Sequence, residues 1–343
     1  ALPPGIAVDP VGLLKGTAGE EGDFTFTLKA TDAEGATALR KLKLSVVPES
    51  VPVIPEQALP EMRVGQYFTY QLKAEGGNGD ISWRILSTRL KDENHKKGWR
   101  GLKVKKMVLP GLTLSINGVI EGAPAQAGVY KSVFSATDAD PNDPDTAEHE
   151  MLITVGPPGP GVCFARRVEK APEVDGVIDE AFGELKNTVT RTVAGNPSCS
   201  ARFTALYDKQ KIFIAVEVTD ENLVTGAEDA WDDDGIEIYF DKNGNREVEY
   251  NADDSRIVCS LSGKIYAYGA LEGRVTAAFK RTETGYTAEI RFDPRGRSKQ
   301  HNVHGFDIGV NDNDGTGEIG RIMWTGGVEN ETDTSGFGTI ILQ

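Results

Sequence analysis

The chain is short of the residues that most catalysis and nucleic-acid binding require. Its 343 residues include only 4 histidines and 3 cysteines. His95, His149, His301 and His304 fall in no Ser/His/Asp or zinc-type spacing, so the usual nucleophilic and zinc-dependent hydrolytic chemistries find no constellation to act through. Cys163, Cys199 and Cys259 show no paired metal spacing, and an odd count leaves at least one thiol over. A Cys163–Cys199 bridge and three free thiols both remain open. Positive charge is also scarce: 37 Lys and Arg face 52 Asp and Glu, a net charge of −15 that opposes nucleic acid and anionic membrane surfaces. No run approaches the roughly 18 apolar residues of a membrane helix. The residues shown open on no signal-peptide pattern, so export would make them a mature or cropped form.

What is present is glycine, 39 residues of it, among short alternating runs rich in Val, Ile and Thr. That profile predicts an all-β chain of two to four domains. Pro4, Gly5, Gly12, Gly16, Gly22, Ala30, Thr31 and Asp32 recur as Pro110, Gly111, Gly118, Gly122, Gly128, Ala136, Thr137 and Asp138, without a gap. Gapless recurrence of turn glycines means a repeated domain. Leu109-Pro-Gly-Leu112, Gly118-Val-Ile-Glu-Gly-Ala-Pro124 and Ala136-Thr-Asp138 resemble the marks of immunoglobulin-like domains found in tandem on large bacterial surface proteins. The expected domains are 1–48, a partial immunoglobulin-like domain, and 49–156, a complete one, followed by a stiffened linker at 157–162 and a larger sandwich at 163–343. The first copy lacks the opening half that Pro52–Leu86 gives the second. Either it is cropped or another chain, such as a neighbouring copy, completes it.

Two features interrupt the second copy. A basic insertion at 87–106 carries Arg89, Lys91, Lys96, Lys97, Arg100, Lys103, Lys105 and Lys106 around His95 and Trp99, which suits a solvated hairpin or a dock for an acidic neighbour. Asp138, Asp140, Asp143 and Asp145 present oxygens at spacings that suit calcium, or equally a polar Asx/Pro turn.

The last domain is organised around Trp231-Asp-Asp-Asp-Gly-Ile-Glu-Ile-Tyr-Phe-Asp241. From Gly235 the period is two: Ile236, Ile238 and Phe240 are expected to face a core, and Glu237 and Tyr239 to face solvent. An indole beside carboxylates suits a sugar, whose apolar face stacks on the ring while its hydroxyls donate to acids. It also suits calcium, with Asp232 and Asp241 as candidate ligands, or simply a solvated strand end. Asp241-Lys-Asn-Gly-Asn245 begins like an EF-hand loop, but Arg246 stands at the sixth place and Ala252 at the twelfth.

Ala171–Glu180, Ala205–Ala215, Trp231–Asp241, Gly305–Asp312 and Gly336–Ile341 fall in the order seen in family 9 carbohydrate-binding modules, which this domain resembles. The resemblance implies a two-sheet sandwich with structural calcium, in which a glycan's reducing-end residue is held between two tryptophans with polar contacts from neighbouring strands. Trp231 and Glu237 match one wall and one polar contact; Arg256 lies two positions before the family's arginine, and Tyr239 and Asn311 flank the same surface. Where the second tryptophan would stand, this chain has Glu331. Trp324 is in phase with Ile322 and is expected in the core. One ring face burying on the order of 100 Å² contributes about 2.5 kcal/mol. Millimolar affinity needs about 4 kcal/mol, so a single wall requires good hydrogen bonds beside it.

The expected protein is therefore non-catalytic and extracellular or on the cell surface, binding polysaccharide or cell-wall glycan through Trp231, Glu237, Tyr239, Arg256 and Asn311. Two further readings stand beside it: a structural subunit of a surface layer or filament, and an accessory region of a secreted polysaccharide-degrading enzyme.

Overall fold

The computed structural model describes residues 1–48, 50–95, 98–102, 107–141, 143–294, 302–316 and 319–343. Among these the regular elements are strands and short 3-10 turns. No helix among them is long and apolar enough to cross a membrane. Contacts group the chain into two compact units, one of Ala1–Ile54, Ala74–Ile81 and Ala136–Ala147, the other of Pro55–Lys73, Ser82–Ser135 and Glu148–Gln343.

The repeat read from the glycines is a repeat of strand register. In the first unit Ile6–Val8 pairs with Leu14–Gly16, Ile6 opposite Gly16. In the second, Leu112–Leu114 pairs with Val119–Gly122, Leu112 opposite Gly122, the corresponding positions of the other copy. Gly5 and Gly111 explain why glycine recurs. Both have positive φ, and a Cβ on either would lie 2.0 or 1.9 Å from the carbonyl oxygen of Thr17 or Ala123. The copies differ in what surrounds these hairpins. In the first, Gly22–Thr31 pairs only with Thr37–Val46, in a two-stranded sheet. In the second, Phe68–Gln71 adds to Val119–Gly122, and Ser82–Lys91 joins a five-stranded sheet. The basic insertion is a hairpin in which Lys91 faces Trp99 and Arg89 faces Gly101; Lys96, Lys97, Lys103, Lys105 and Lys106 lie outside the described residues.

The C-terminal sandwich forms because its strands bury alternate residues on a shared interior. One face of the fold runs Ile265–Gly269, Asp254–Ser260, Gly235–Asp241, Val303–Asn313, Gly338–Leu342. Val162–Arg167 carries the hydrogen bonding on to Ser200–Tyr207, Ile212–Thr219, Gly285–Phe292 and Val275–Arg281. Between the two layers lie Phe203, Phe240, Tyr286, Phe292, Phe306 and Ile308, all buried. Trp324 packs against this core, edge-on to Phe203 with ring centroids 5.1 Å apart, as its phase with Ile322 requires. Glu180–Phe182 forms a single 3-10 turn, with Asp179 accepting from the Ala181 N–H. All three cysteines are free thiols, Cys163 and Cys259 buried as small hydrophobes.

His304 is a core residue whose burial makes stability depend on pH. It is 1% exposed, stacks near Phe240 and shares its Nδ1 with the Lys242 carbonyl at 2.7 Å. Burial pushes its pKa down to about 4, so it folds neutral. Because the unfolded chain binds this proton near pH 6.5 and the folded chain does not, stability is held above that pH and is lost as pH falls toward 4. The loss is on the order of 3 kcal/mol for this group. Melting temperature should therefore fall over that interval in the wild type and fall less steeply in His304→Gln; parallel slopes would show that another group sets the acid limb.

Candidate functional site

The site face of the sandwich is the outer side of the sheet that contains Gly235–Asp241. Residues directly paired on adjacent strands point to the same side of a sheet. One row across the face is Tyr266, Val258, Glu237, Gly309 and Met323. The next is Tyr268, Arg256, Tyr239 and Asp307. A third is Ser260, Gly235, Asn311 and Arg321. The candidates Glu237, Tyr239, Arg256 and Asn311 therefore share one surface, while Ile236, Ile238, Phe240, Ile257 and Cys259 fill the core behind it.

The exposure expected of that face is not what the fold builds. Every residue of Gly235–Asp241 is buried, Glu237 and Tyr239 both at 0% exposure. The reason is a layer laid over them. Arg256 donates to both Glu237 oxygens, from Nε at 3.2 Å and Nη2 at 3.1 Å. Arg321 Nη2 lies 3.2 Å from Glu237 Oε1. Asn311 Nδ2 donates to the same oxygen at 2.8 Å, and the Tyr239 hydroxyl donates to Oε2. Asn311 in turn accepts from Arg321 Nε at 2.8 Å. Above the two guanidinium groups sits Glu331, its Oε1 2.7 Å from Arg321 Nη1 and 3.2 Å from Arg256 Nη2. Two cations are thus clamped between two anions, one deep and one at the surface.

Electrostatics follow from that arrangement. Burial alone would raise the Glu237 carboxyl, but Arg321 and Arg256 beside it hold it below the ordinary range, so it is ionised. Burial and the neighbouring Glu237 push the Tyr239 phenol well up, so it remains a donor. The far side of Tyr239 packs on Met323 and Phe337. Arg321 and Glu331 were not among the residues singled out as contacts. A place one residue out of phase with the core residue Ile322 is the available signal for the first. Glu331 drew notice only as a missing tryptophan.

Trp231 stands at the edge of this network, half-buried, in the 3-10 turn Ala230–Asp232. Its ring lies 5.7 Å from that of Tyr266, tilted by 51°. The acids after it are scaffold rather than rim. Asp233 accepts from the Ala227 N–H at 2.7 Å and the Ser262 hydroxyl at 2.7 Å. Asp234 accepts from the N–H groups of Val224 at 2.5 Å and Asn313 at 2.7 Å. Lys264 Nζ donates to the Glu228 carbonyl at 2.8 Å, closing the same loop.

Among the described residues two carboxylate groups lie close enough to hold a cation: Asp220, Asp312 and Asp314, and Asp241, Asp253 and Asp254. Each contains a buried oxygen with no partner, Asp312 Oδ1 and Asp254 Oδ1, and Asn245 Oδ1 beside the second is in the same condition. Such oxygens fit a hard cation. Arg246, at the sixth place of the Asp241 loop, takes a positive φ of 58°, the left-handed turn for which that loop position ordinarily uses glycine. Asp232 belongs to neither group, and its carbonyl accepts from Asn313 Nδ2 at 2.6 Å. Nor do Asp138, Asp140, Asp143 and Asp145 converge. Asp138 accepts from the N–H groups of Asn78 at 2.9 Å and Asp145 at 3.0 Å, and Asp140 from that of Asp143 at 3.2 Å, so these residues form a polar turn.

The buried and exposed ends of the clamp differ in what their loss costs. Glu237→Ala strands two guanidinium groups and should destabilise by about 3 kcal/mol, whereas Glu331→Ala, at the solvent end, should cost less than about 1 kcal/mol. Urea unfolding of the two variants checks this; equal costs would mean that the outer carboxylate carries the clamp.

Residues 174–343 match the family model for carbohydrate family 9 binding domain-like proteins. Among curated proteins the chain is 32% identical over 218 residues to endo-1,4-beta-xylanase C of Paenibacillus barcinonensis, covering 62% of this chain and 20% of that protein. It is 25% identical over 286 residues to endo-1,4-beta-xylanase A of Thermotoga maritima, covering 77% and 26%. The chain thus spans about a fifth to a quarter of these relatives. Among solved structures, a family 9 module of Caldicellulosiruptor kristjanssonii in complex with cellotriose aligns with a TM-score of 0.49 at 21% identity, covering 53% of this chain and 93% of that one. The C-terminal part of the chain, residues 174–343, is thus similar to the carbohydrate family 9 binding domain-like family.

Proposed function

We propose that this is a non-catalytic part of an extracellular or cell-surface protein, whose C-terminal sandwich holds it to polysaccharide or cell-wall glycan. The observation that carries the reading is the half-buried Trp231 beside a preorganised polar floor. A sugar stacked on the indole gains apolar contact, and Arg256 and Glu331 at the solvent end of the clamp offer a donor and an acceptor to its hydroxyls. Glu237, Tyr239 and Asn311 act from below, fixing the guanidinium groups. No water need be ordered to assemble the floor, which lowers the cost of binding.

The names of the relatives favour one context over another. Both are endo-1,4-beta-xylanases several times longer than the matched region, which supports an accessory role beside a polysaccharide-degrading domain. The glutamate in place of an opposing ring favours the contrary reading, a surface-layer or filament subunit whose sandwich serves protein contacts. Affinity electrophoresis in xylan and glucan gels separates them. Retarded wild type and a Trp231→Ala variant weakened about tenfold or more, a loss of roughly 1.4 kcal/mol, support glycan binding. Free migration of the wild type in every polysaccharide would leave the structural reading standing.

Calcium completes the proposal. Asp241 and Asp254, with Asn245, would hold one ion, and Asp220, Asp312 and Asp314 another; the ion would supply charge neutralisation to oxygens that the fold buries without partners. Removing it with a chelator should lower the melting temperature by about 5–10 °C, and Asp254→Asn should melt low whether or not calcium is added back. An unchanged melting curve after exhaustive chelation would rule the ion out.

A further inference from the structure

The strand Ile265–Gly269 forms the outer edge of the site sheet and carries two exposed aromatics. Tyr266 is 37% exposed and Tyr268 47%. Their side is fixed by register: Tyr266 lies opposite Val258 and Tyr268 opposite Arg256, both on the site face, while Ala267 between them packs on the core. Two residues along a strand advance about 6.8 Å, comparable to the length of one pyranose unit. Trp231 meets the first of these rings, and Arg256 lies beside the second.

We propose that Trp231, Tyr266 and Tyr268 form one stacking strip that takes an internal stretch of a neutral β-1,4-linked polysaccharide, several units long. The proposal rests on the glycan-binding reading above and extends it from a single sugar to a chain. The strip is continuous with the Trp231 platform, and among the described residues the ring that Trp231 meets belongs to the edge strand of the site sheet rather than to an opposing wall. A one-sided surface lets a chain pass over it. Tyr266 and Tyr268 stand two residues apart on one strand and Trp231 packs on the first, so the rings offer stacking to successive units. Charge selects against uronate-bearing chains: Glu228, Asp229 and Asp232 flank Trp231 in the chain, exposed or partly so.

The platform is also rigid enough to act as one. Lys264 ties the strand's turn to the loop before Trp231, and Ser262 is bonded to Asp233 within that loop. A chain would pay little to order its binding surface.

Titration calorimetry with cellobiose, cellohexaose and borohydride-reduced cellohexaose tests the idea on the intact chain. The wild type should bind cellohexaose at least about fivefold more tightly than cellobiose, equivalent to roughly 1 kcal/mol, and reduction of the chain end should leave that affinity unchanged. Tyr268→Ala, a partly exposed side chain whose variant should melt like the wild type, should erase the gain with length while keeping the cellobiose affinity. If Trp231→Ala abolishes binding but Tyr266→Ala and Tyr268→Ala bind cellohexaose normally, the strip is refuted and the single-sugar site stands. If reduction of the end abolishes binding, the site reads termini and the strip is likewise refuted. Absence of binding to any of the three would overturn the strip together with the glycan reading beneath it.

Discussion

The clamp of two arginines between two glutamates fixes the chemistry of the site face. A buried carboxylate is tolerable only with opposite charge and hydrogen bonds around it, and Glu237 has both: Arg256 from the strand on one side, Asn311 and Arg321 from the strands on the other, and Tyr239 from its own strand. Those four residues come from four places in the sequence and meet because strand pairing puts them in adjacent rows. The sheet must therefore be in register before the charge is neutralised, and once neutralised the charge resists any slip. A one-residue shift would turn Glu237 into the core and Ile236 outward. The result is an electroneutral floor that needs no rearrangement to meet a polar ligand.

The acidic character of the chain reads differently once its acids are placed. Many of the carboxylates in the sandwich are spent on loops. Glu289 accepts from the N–H groups of Asp175, Gly176 and Asp179, holding the segment before the 3-10 turn. Asp312 takes those of Ser198 and Cys199. A carboxylate accepting several backbone N–H groups does for an irregular loop what a ladder does for a strand. The net charge of −15 thus overstates how much negative surface a partner would meet.

The strands were legible because burial has a period of two, and the repeat because turn glycines are forced by backbone geometry. Gly5 and Gly111 cannot be replaced without a clash, so their spacing survives as a signal. Trp231 was legible as an aromatic stranded among acids. What was hidden was burial on the second face. Glu237 and Tyr239 look solvent-facing in a local reading, because the guanidinium groups that cover them arrive from strands about 20 and 80 residues away. Tyr266 and Tyr268 escaped for another reason: their strand is five residues long, lies at a sheet edge and is bounded by glycines at 263 and 269. Short edge strands carry little alternation to detect. The oxygens that fit a cation were legible at Asp241 but not at Asp312, whose partners Asp220 and Asp314 belong to different loops.

The turn that carries Glu331 is held by its own set of buried bonds. Asp307, buried beneath the turn Val328–Glu331, accepts from the N–H groups of Thr325 at 3.1 Å and Gly326 at 2.6 Å and from Asn330 Nδ2 at 2.7 Å. Tyr250 adds its hydroxyl to the Asn330 carbonyl at 2.5 Å. The backbone that presents Glu331 is therefore fixed independently of which side chain it bears. A carboxylate there, drawn onto Arg256 and Arg321, balances the charge of the floor. The turn and the ion pairs are thus separable: the bonds to Asp307 and Tyr250 shape the one, and the side chain at 331 supplies only the other.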